Sequence, residues 1–316
     1  MALSGLALVT GGAGFIGSHI VDALLEHGAR VRVVDDLSTG HLENLSHVND
    51  KIEFLQGDLA EEDVARRAVD GVEIIFHEAA LPSVPRSVAK PRETHRASIE
   101  GTFNLLLTAR DARVRRVVYA ASSSAYGDQP TLPKVETMRP EPLSPYAVAK
   151  LVGEYYCQVF WRSYSLETIC LRYFNVFGPR QDPGSPYSGV ISLFVDRLLR
   201  GEAPTIYGDG EQTRDFSYVS NAISANILAA QTSRGIGEVI NVANGKQITI
   251  NELFRTLRKI IGRENIEPDY RPARTGDIVH SLADLSRARE LLGFEPKTQL
   301  QEGLRLTVAA ARGATA

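Results

Sequence analysis

Short apolar runs and amphipathic stretches alternate along this chain from its start. Leu6-Ala7-Leu8-Val9-Thr10 is the kind of continuous apolar run that a parallel strand covered on both faces needs. A glycine-rich turn follows. Ile16, Ile20, Ala23 and Leu24 then recur at helical spacing until Gly28, a residue suited to the position just past a helix end. Residues 30–35 alternate polar and apolar side chains and close on Asp35. Strand-like runs return at 52–59, 72–80 and 116–121, separated by helical patterns at 61–69 and around 101–106, with 83–87 reading as a loop. Ser144-Pro145 opens a further helix, since serine is a good N-cap and proline suits the first turn, where no backbone N–H is needed. Residues 251–261 form another amphipathic pattern, which reads as plain packing. Strands alternating with helices in this way predict an α/β fold: a doubly wound parallel sheet with helices on both faces.

With 316 residues, the chain can bury one large core or two of modest size. A net charge of −3 supplies no cationic field to recruit nucleic acid or an anionic membrane, and no apolar run reaches membrane-spanning length. Cys157 and Cys170 lie in apolar surroundings without metal-ligand spacing. They read as reduced core residues of a cytoplasmic protein, and no metal site is expected.

The candidate chemistry lies at the ends of the apolar runs. Gly11-Gly12-Ala13-Gly14-Phe15-Ile16-Gly17 joins a strand to a helix, where glycines let a pyrophosphate approach the backbone and the helix N-terminus stabilises it. Asp35, at the end of the second strand, is placed to accept from the adenosine ribose hydroxyls and to repel a 2′-phosphate, which predicts NAD rather than NADP. Asp58 reads as a contact to the adenine, as the cap of the helix after it, or as both. Ala79 and Ala80 are small residues where a ligand crevice belongs, and His77 beside them reads as a packed histidine. Ser122, Ser123 and Ser124 put three hydroxyls at the end of a central strand, and which of them meets a developing oxyanion stays open. Tyr146 and Lys150 share one helix face, a turn apart. An ammonium within reach lowers a phenol's pKa of about 10 by roughly 1–3 units, which would make Tyr146 a proton acceptor near neutral pH.

Taken together, these residues resemble the extended short-chain dehydrogenase/reductases, and more closely their UDP-hexose 4-epimerases. The likeness continues through Leu171-Arg172-Tyr173-Phe174-Asn175-Val176-Phe177-Gly178-Pro179-Arg180, Tyr207-Gly208-Asp209-Gly210, Thr213-Arg214-Asp215-Phe216 and Arg274-Thr275-Gly276-Asp277, to about Pro296. It implies an isomerase that inverts C4 of a UDP-sugar through a transient 4-keto sugar and regenerates its bound NAD. Tyr146, Lys150, Ser122 and Ser123 would be the catalytic set. Gly11, Gly14, Phe15, Ile16, Gly17, Asp35, Asp58, Leu59, Ala79 and Ala80 would hold NAD together with Tyr146 and Lys150. Ser83, Val84, Ser124, Asn175, Val190, Tyr207, Asp277 and Ser281 would meet the UDP-sugar, with Arg214 and Arg274 gripping its diphosphate.

The resemblance also narrows the reaction. Sugar-nucleotide dehydratases and decarboxylases of this kind carry carboxylates at the positions of Ser123 and Ser124, and their lack here leaves simple epimerisation. Ser281 stands where related epimerases wall the sugar beside C2, and a small residue there implies turnover of UDP-GlcNAc/UDP-GalNAc, with UDP-Glc/UDP-Gal alongside. The alternatives are a UDP-glucuronate 4-epimerase, with Arg86 or Arg180 at the carboxylate, and a non-catalytic protein that binds the same nucleotides. Three positions depart from the family pattern: Glu78 where a neutral residue is usual, Ser98 for an asparagine, and Asn221 for an aspartate. The implied architecture is a Rossmann-type domain over 1–175, to which about 215–245 returns, and a smaller C-terminal α/β lobe over 176–214 and 246–316. A homodimer would form through the helices near 101–112 and 146–163.

Overall fold

A computed structural model describes residues 3, 5–182, 184, 189–273 and 278–314. The chain begins with β1 (Leu6–Thr10), α1 (Phe15–Glu26), β2 (Arg30–Asp35), β3 (Ile52–Gln56), α2 (Glu62–Val69) and β4 (Ile74–His77). Next come α3 (Val84–Ala89), α4 (Pro91–His95), α5 (Gly101–Asp111), β5 (Arg116–Ser122), α6 (Pro145–Tyr164) and β6 (Glu167–Tyr173). Beyond them lie β7 (Val176–Phe177), α7 (Val190–Leu199), β8 (Thr205–Tyr207), β9 (Thr213–Asp215), β10 (Ser217–Tyr218) and α8 (Val219–Gln231). The described chain ends with β11 (Val239–Val242), β12 (Gln247–Thr249), α9 (Ile250–Ile261), β13 (Asp269–Arg271), α10 (Ser286–Leu292) and α11 (Leu300–Ala314).

Seven strands form one parallel sheet in the order β11-β6-β5-β4-β1-β2-β3. Period-two alternation explains why its strands are apolar throughout. Leu6 and Leu8 of β1 join the core on one face, with Leu105, Leu106 and Phe160, while Ala7 and Val9 join the other, with Ile20, Val21 and Leu24 of α1. The expected doubly wound sheet is therefore what the chain builds. Strand order reverses between β1 and β4, and the C-terminal ends of these two strands flank the crevice where such sheets bind ligands.

A second apolar cluster gathers α7, α9 and α11 around Phe194, Leu253, Phe254, Leu257 and Leu304. Burying each such side chain is worth roughly 1.5–3 kcal/mol. Thr249 and Glu252 form a capping box at the start of α9, and the small pairs β8–β13, β9–β12 and β7–β10 edge this cluster. Cys157 and Cys170 are buried and unbridged. Among the described residues, no helix is long and apolar enough to cross a membrane.

Two local expectations are corrected. Residues 83–87 are not a loop but the start of α3: Ser83 Oγ accepts from the Arg86 N–H at 3.1 Å, and Pro85 stands in the first turn. These are the signals that open α6, where Ser144 Oγ accepts from the Ala147 N–H at 3.2 Å; α3 ends after six residues, too soon for periodicity to show. Asp58 does not cap α2. Glu61 is the capping residue, and Asp58 closes the turn before it by accepting from the Ala60 N–H at 2.8 Å.

Candidate active site

Steric limits shape the turn after β1. Gly11 has φ +65°, and a Cβ there would lie 2.8 Å from the Ala79 backbone. A Cβ on Gly17 would lie 2.2 Å from the Gly11 carbonyl oxygen. Backbone thus packs on backbone, and neither contact relaxes by a side-chain rotation. Gly14 is the N-cap of α1 and offers no side chain, so the first-turn N–H groups have no capping partner. That is a cradle with donors for an anion, and it fits a dinucleotide pyrophosphate. Asp35 Oδ2 accepts from the Ala13 N–H at 2.9 Å and Oδ1 from the Leu37 N–H at 2.8 Å, which ties the turn to the end of β2. Burial raises the Asp35 pKa, and those two N–H groups oppose the rise.

The other residues expected around NAD have varied settings. Phe15 packs on the cluster around Phe194 and Leu253, and Ile16 on the sheet core. Leu59 is buried, and its carbonyl accepts from Asn104 Nδ2 at 3.2 Å. Besides closing its turn, Asp58 pairs with Arg96 at 3.2 Å. The Ala79 N–H donates to Thr10 Oγ1 at 3.1 Å, and Ala80 follows it in the segment after β4.

The catalytic candidates meet at the ends of β5 and α6. Ser124 donates to Ser122 Oγ from its N–H at 3.2 Å and from its hydroxyl at 2.8 Å. Both lone pairs of Ser122 are then engaged, and its own proton is left for the hydrogen bond it shares with the Tyr146 phenol. This singles out Ser122 among the three serines, and it turns the Ser124 hydroxyl inward onto Ser122. Lys150 is 4% exposed and donates to the Ala120 carbonyl at 2.7 Å, with its ammonium 5.2 Å from the centre of the Tyr119 ring.

Here the structure overturns an expectation. The Tyr146 pKa is raised, not lowered: burial is the largest cause, the Glu78 charge adds to it, and only the Ser122 hydrogen bond opposes. Lys150 is aimed at β5, and burial lowers its own pKa.

His77 is the packed histidine expected of it. Its Nδ1 lies 2.7 Å from Thr10 Oγ1 and its Nε2 2.9 Å from Thr102 Oγ1, while Thr102 donates its own proton to the Ser98 carbonyl at 2.7 Å. Nε2 therefore carries the proton, and burial pushes the pKa down to about 3. Glu78, the next residue, is partly buried, accepts from the Tyr173 hydroxyl at 2.8 Å, and makes its charge felt at both Tyr146 and Lys150. Positions 123 and 124 carry no carboxylate, but the site does hold one, delivered by β4.

On the substrate side, Asn175 has φ +36° and donates from Nδ2 to the Asp215 carbonyl at 3.0 Å. Arg214, on β9, donates to the Thr213 carbonyl at 2.9 Å and to the Val279 carbonyl at 3.3 Å. Ser281 is buried beside it, its N–H on the Thr213 carbonyl at 3.2 Å. Asp215 organises this region, though sequence reasoning gave it no role. Its carboxylate accepts from the N–H groups of Asn244, Gly245 and Ala283 at 3.0, 3.1 and 3.2 Å. Burial still pushes its pKa up to about 6.

Val190 opens α7 and Tyr207 closes β8. Ser83 is buried with its hydroxyl used as a cap, and Val84 beside it is exposed. Arg274 and Asp277 lie outside the described residues. Arg86 pairs with Glu93 at 3.1 Å and Arg180 with Asp22 at 2.8 Å, so both candidate partners for a uronate carboxylate already face an acid, though Arg180 keeps one buried nitrogen without a partner. Asn221 donates to the Thr298 carbonyl at 2.9 Å and accepts from its N–H at 3.1 Å, a pairing in which an aspartate could not donate. Ser98 is buried, with no partner for its hydroxyl.

Residues 7–243, from β1 through β11, match the family described as NAD dependent epimerase/dehydratase. The chain belongs to that family. Within the NAD dependent epimerase/dehydratase family, a UDP-glucose 4-epimerase of Mycolicibacterium smegmatis is 40% identical over 305 residues, covering 95% of this chain and 96% of the relative. A UDP-N-acetylglucosamine 4-epimerase of Methanobrevibacter ruminantium, solved with UDP-N-acetylmuramic acid, superposes with a TM-score of 0.94 at 42% identity, over 98% of this chain and 99% of that one. A UDP-glucose 4-epimerase of Thermus thermophilus, solved with NAD, gives 0.90 at 37% identity over 98% and 99%. With relatives of this kind along its whole length, the protein is an isomerase that uses NAD.

Proposed function

We propose that this protein interconverts UDP-hexoses that differ at C4, with Tyr146 as the group that takes and returns the 4-hydroxyl proton. The observation that carries this is the Ser124 hydroxyl donating to Ser122, which leaves the Ser122 proton to favour the Tyr146 anion, beside a buried Lys150. A donor aimed at the phenol oxygen favours its anion, the form able to accept a proton. Ser122 would share the hydrogen bond to the sugar oxygen as the 4-ketone develops. NAD, when bound, supplies the hydride acceptor and a cationic ring that favours the phenolate. Gly11, Gly14 and Gly17 would admit its pyrophosphate, and Asp35 its ribose.

The nucleotide of the sugar would lie against a lobe built from 176–214 and 246–316, with Arg214 and Arg274 on its diphosphate. The acids Glu93 and Asp22 beside Arg86 and Arg180 offset their charges, which favours a neutral hexose over a uronate. Ser281 is small and borders the Arg214 strand, which favours a pocket that admits a C2 N-acetyl group. Offered UDP-GlcNAc and UDP-Glc without added cofactor, the protein is expected to invert C4 of both, read by chromatography of the epimers. Refusal of the acetylated sugar would sink the substrate assignment. Ser281→Tyr is expected to cost the acetylated pair roughly tenfold or more in kcat/KM while sparing the plain pair.

The chain is also proposed to pair with a second copy through α5 and α6. Phe103, Val148, Tyr155, Val159 and Tyr164 on these helices are each 36–52% exposed. A patch of this kind on a soluble enzyme marks an interaction surface. Sedimentation equilibrium is expected to read twice the chain mass of 34.6 kDa. A single-chain mass at micromolar concentration would exclude it.

A further inference from the structure

One acid at the active centre takes no part in moving the sugar proton. Glu78 follows β4 directly, its carboxylate anchored by the Tyr173 hydroxyl of β6 at 2.8 Å. Asn226 of α8 donates to that same hydroxyl oxygen at 2.6 Å, which leaves the phenolic proton committed to Glu78. Asn226 is fully buried, and its amide oxygen has no partner. Three elements thus hold one carboxylate in place. Strand alternation turns it to the face opposite His77.

The charged and titratable groups around it come from two sides. Tyr173 faces it from β6, and Lys150 and Tyr146 face it from α6. Behind Lys150 lie Glu154, closed into its own pair with Arg172 of β6, and the Cys157 thiol. Asn226 is the neutral neighbour from α8. His77 is locked neutral by Thr10 and Thr102.

We propose that Glu78 is a positioning residue of the catalytic centre: held by Tyr173 and Asn226, its carboxylate keeps the buried Lys150 charged and restrains ionisation of Tyr146, so three groups and not two set the pH range of activity. The inference rests on the catalytic reading of Tyr146 and Lys150. The signs follow from charge alone. A carboxylate favours a neighbouring ammonium and disfavours a neighbouring phenolate, so both groups lose their protons at higher pH in its presence. Burial by itself drives Lys150 toward neutrality, and Glu78, its own pKa pushed up to about 7 by burial, is the main charge that resists this once it is ionised.

The test is the pH dependence of kcat/KM for the NAD-loaded protein carrying Glu78→Gln. Glutamine keeps the size of the side chain and an oxygen to accept from Tyr173, and it removes only the charge. Both limbs of the profile are expected to move to lower pH, by about one unit. A profile that only loses height, with its limbs unmoved, would overturn the inference, because a filler of space scales activity without shifting it. Glu78→Asp, which restores the charge, is expected to return the limbs toward their native positions.

Two further measurements cover the case in which Glu78→Gln folds poorly. Tyr173→Phe removes the hydrogen bond that favours the Glu78 carboxylate and is expected to move the limbs the same way by a smaller amount. An ultraviolet tyrosinate titration, with the Tyr146→Phe trace subtracted, reads Tyr146 without turnover; its ionisation is expected at lower pH once Glu78 is neutralised. Native limb positions in Tyr173→Phe and an unmoved tyrosinate titration count against the inference. Substantial activity in Tyr146→Phe would instead remove the catalytic reading beneath it.

Discussion

Tyr146→Phe is expected to bind UDP-sugar as the native chain does and to turn it over about 10²–10⁴-fold more slowly, the span usual for loss of a positioned acid–base group. The ring stays, so packing at the start of α6 is kept, along with the Ser144 cap and the Lys150 contact to Ala120. What goes is the oxygen at the end of the Ser124–Ser122 relay. The loss should fall on kcat and kcat/KM alike, since the oxygen serves the transition state and not the nucleotide. Steady-state kinetics with calorimetric UDP binding separates the two. Near-native turnover would mean that another group takes the sugar proton.

The largest effect on stability is expected from Glu154→Ala. Glu154 and Arg172 are 1% and 3% exposed and meet through paired bonds of 2.8 and 2.7 Å, with the guanidinium 4.6 Å from the centre of the Tyr126 ring. Removing the carboxylate leaves a buried guanidinium with no counter-charge, which costs about 3–5 kcal/mol. The position is also one turn beyond Lys150 on α6, so the variant removes a charge that helps keep the ammonium protonated. Chemical denaturation should show the lower midpoint, and adding Arg172→Met to a Glu154→Leu chain should recover most of it, because a well-packed apolar pair tolerates that space. A single substitution costing under about 1 kcal/mol would show that water reaches Arg172 and that the pair is effectively a surface one.

Much of the fold could be read from local signals. The β1 turn, the uncapped start of α1 and the acid closing β2 are set by residues within a few positions of each other, and the structure forms each where the pattern put it. Ser144 and Pro145 announced α6 for the same reason. The same signals at Ser83 and Pro85 were outweighed because α3 is too short to show a period. Of the two readings left open for Asp58, the cap failed because an acid shortly before a helix suits both a cap and a preceding turn, and only the backbone path decides which N–H it meets.

The rest depended on distance in the chain. Glu78 and Lys150 belong to elements far apart in sequence, and nothing local says that β4 and α6 deliver them to one place. The Tyr146 pKa was misjudged for a related reason: a neighbouring ammonium can be counted along a helix, whereas burial depends on which other elements cover the phenol. Asp215, which draws three loop N–H groups to one carboxylate, is equally invisible until the loops converge. Local signals were enough for the parallel α/β sheet, the glycine cradle and the placing of Tyr146 and Lys150 a turn apart on one helix, because periodicity, capping and turn chemistry act over a few residues. Which serine faces the phenol, where Lys150 points and which carboxylate lies near them came from long-range packing, because hydrogen-bond direction and desolvation are set by groups the chain brings together from elsewhere.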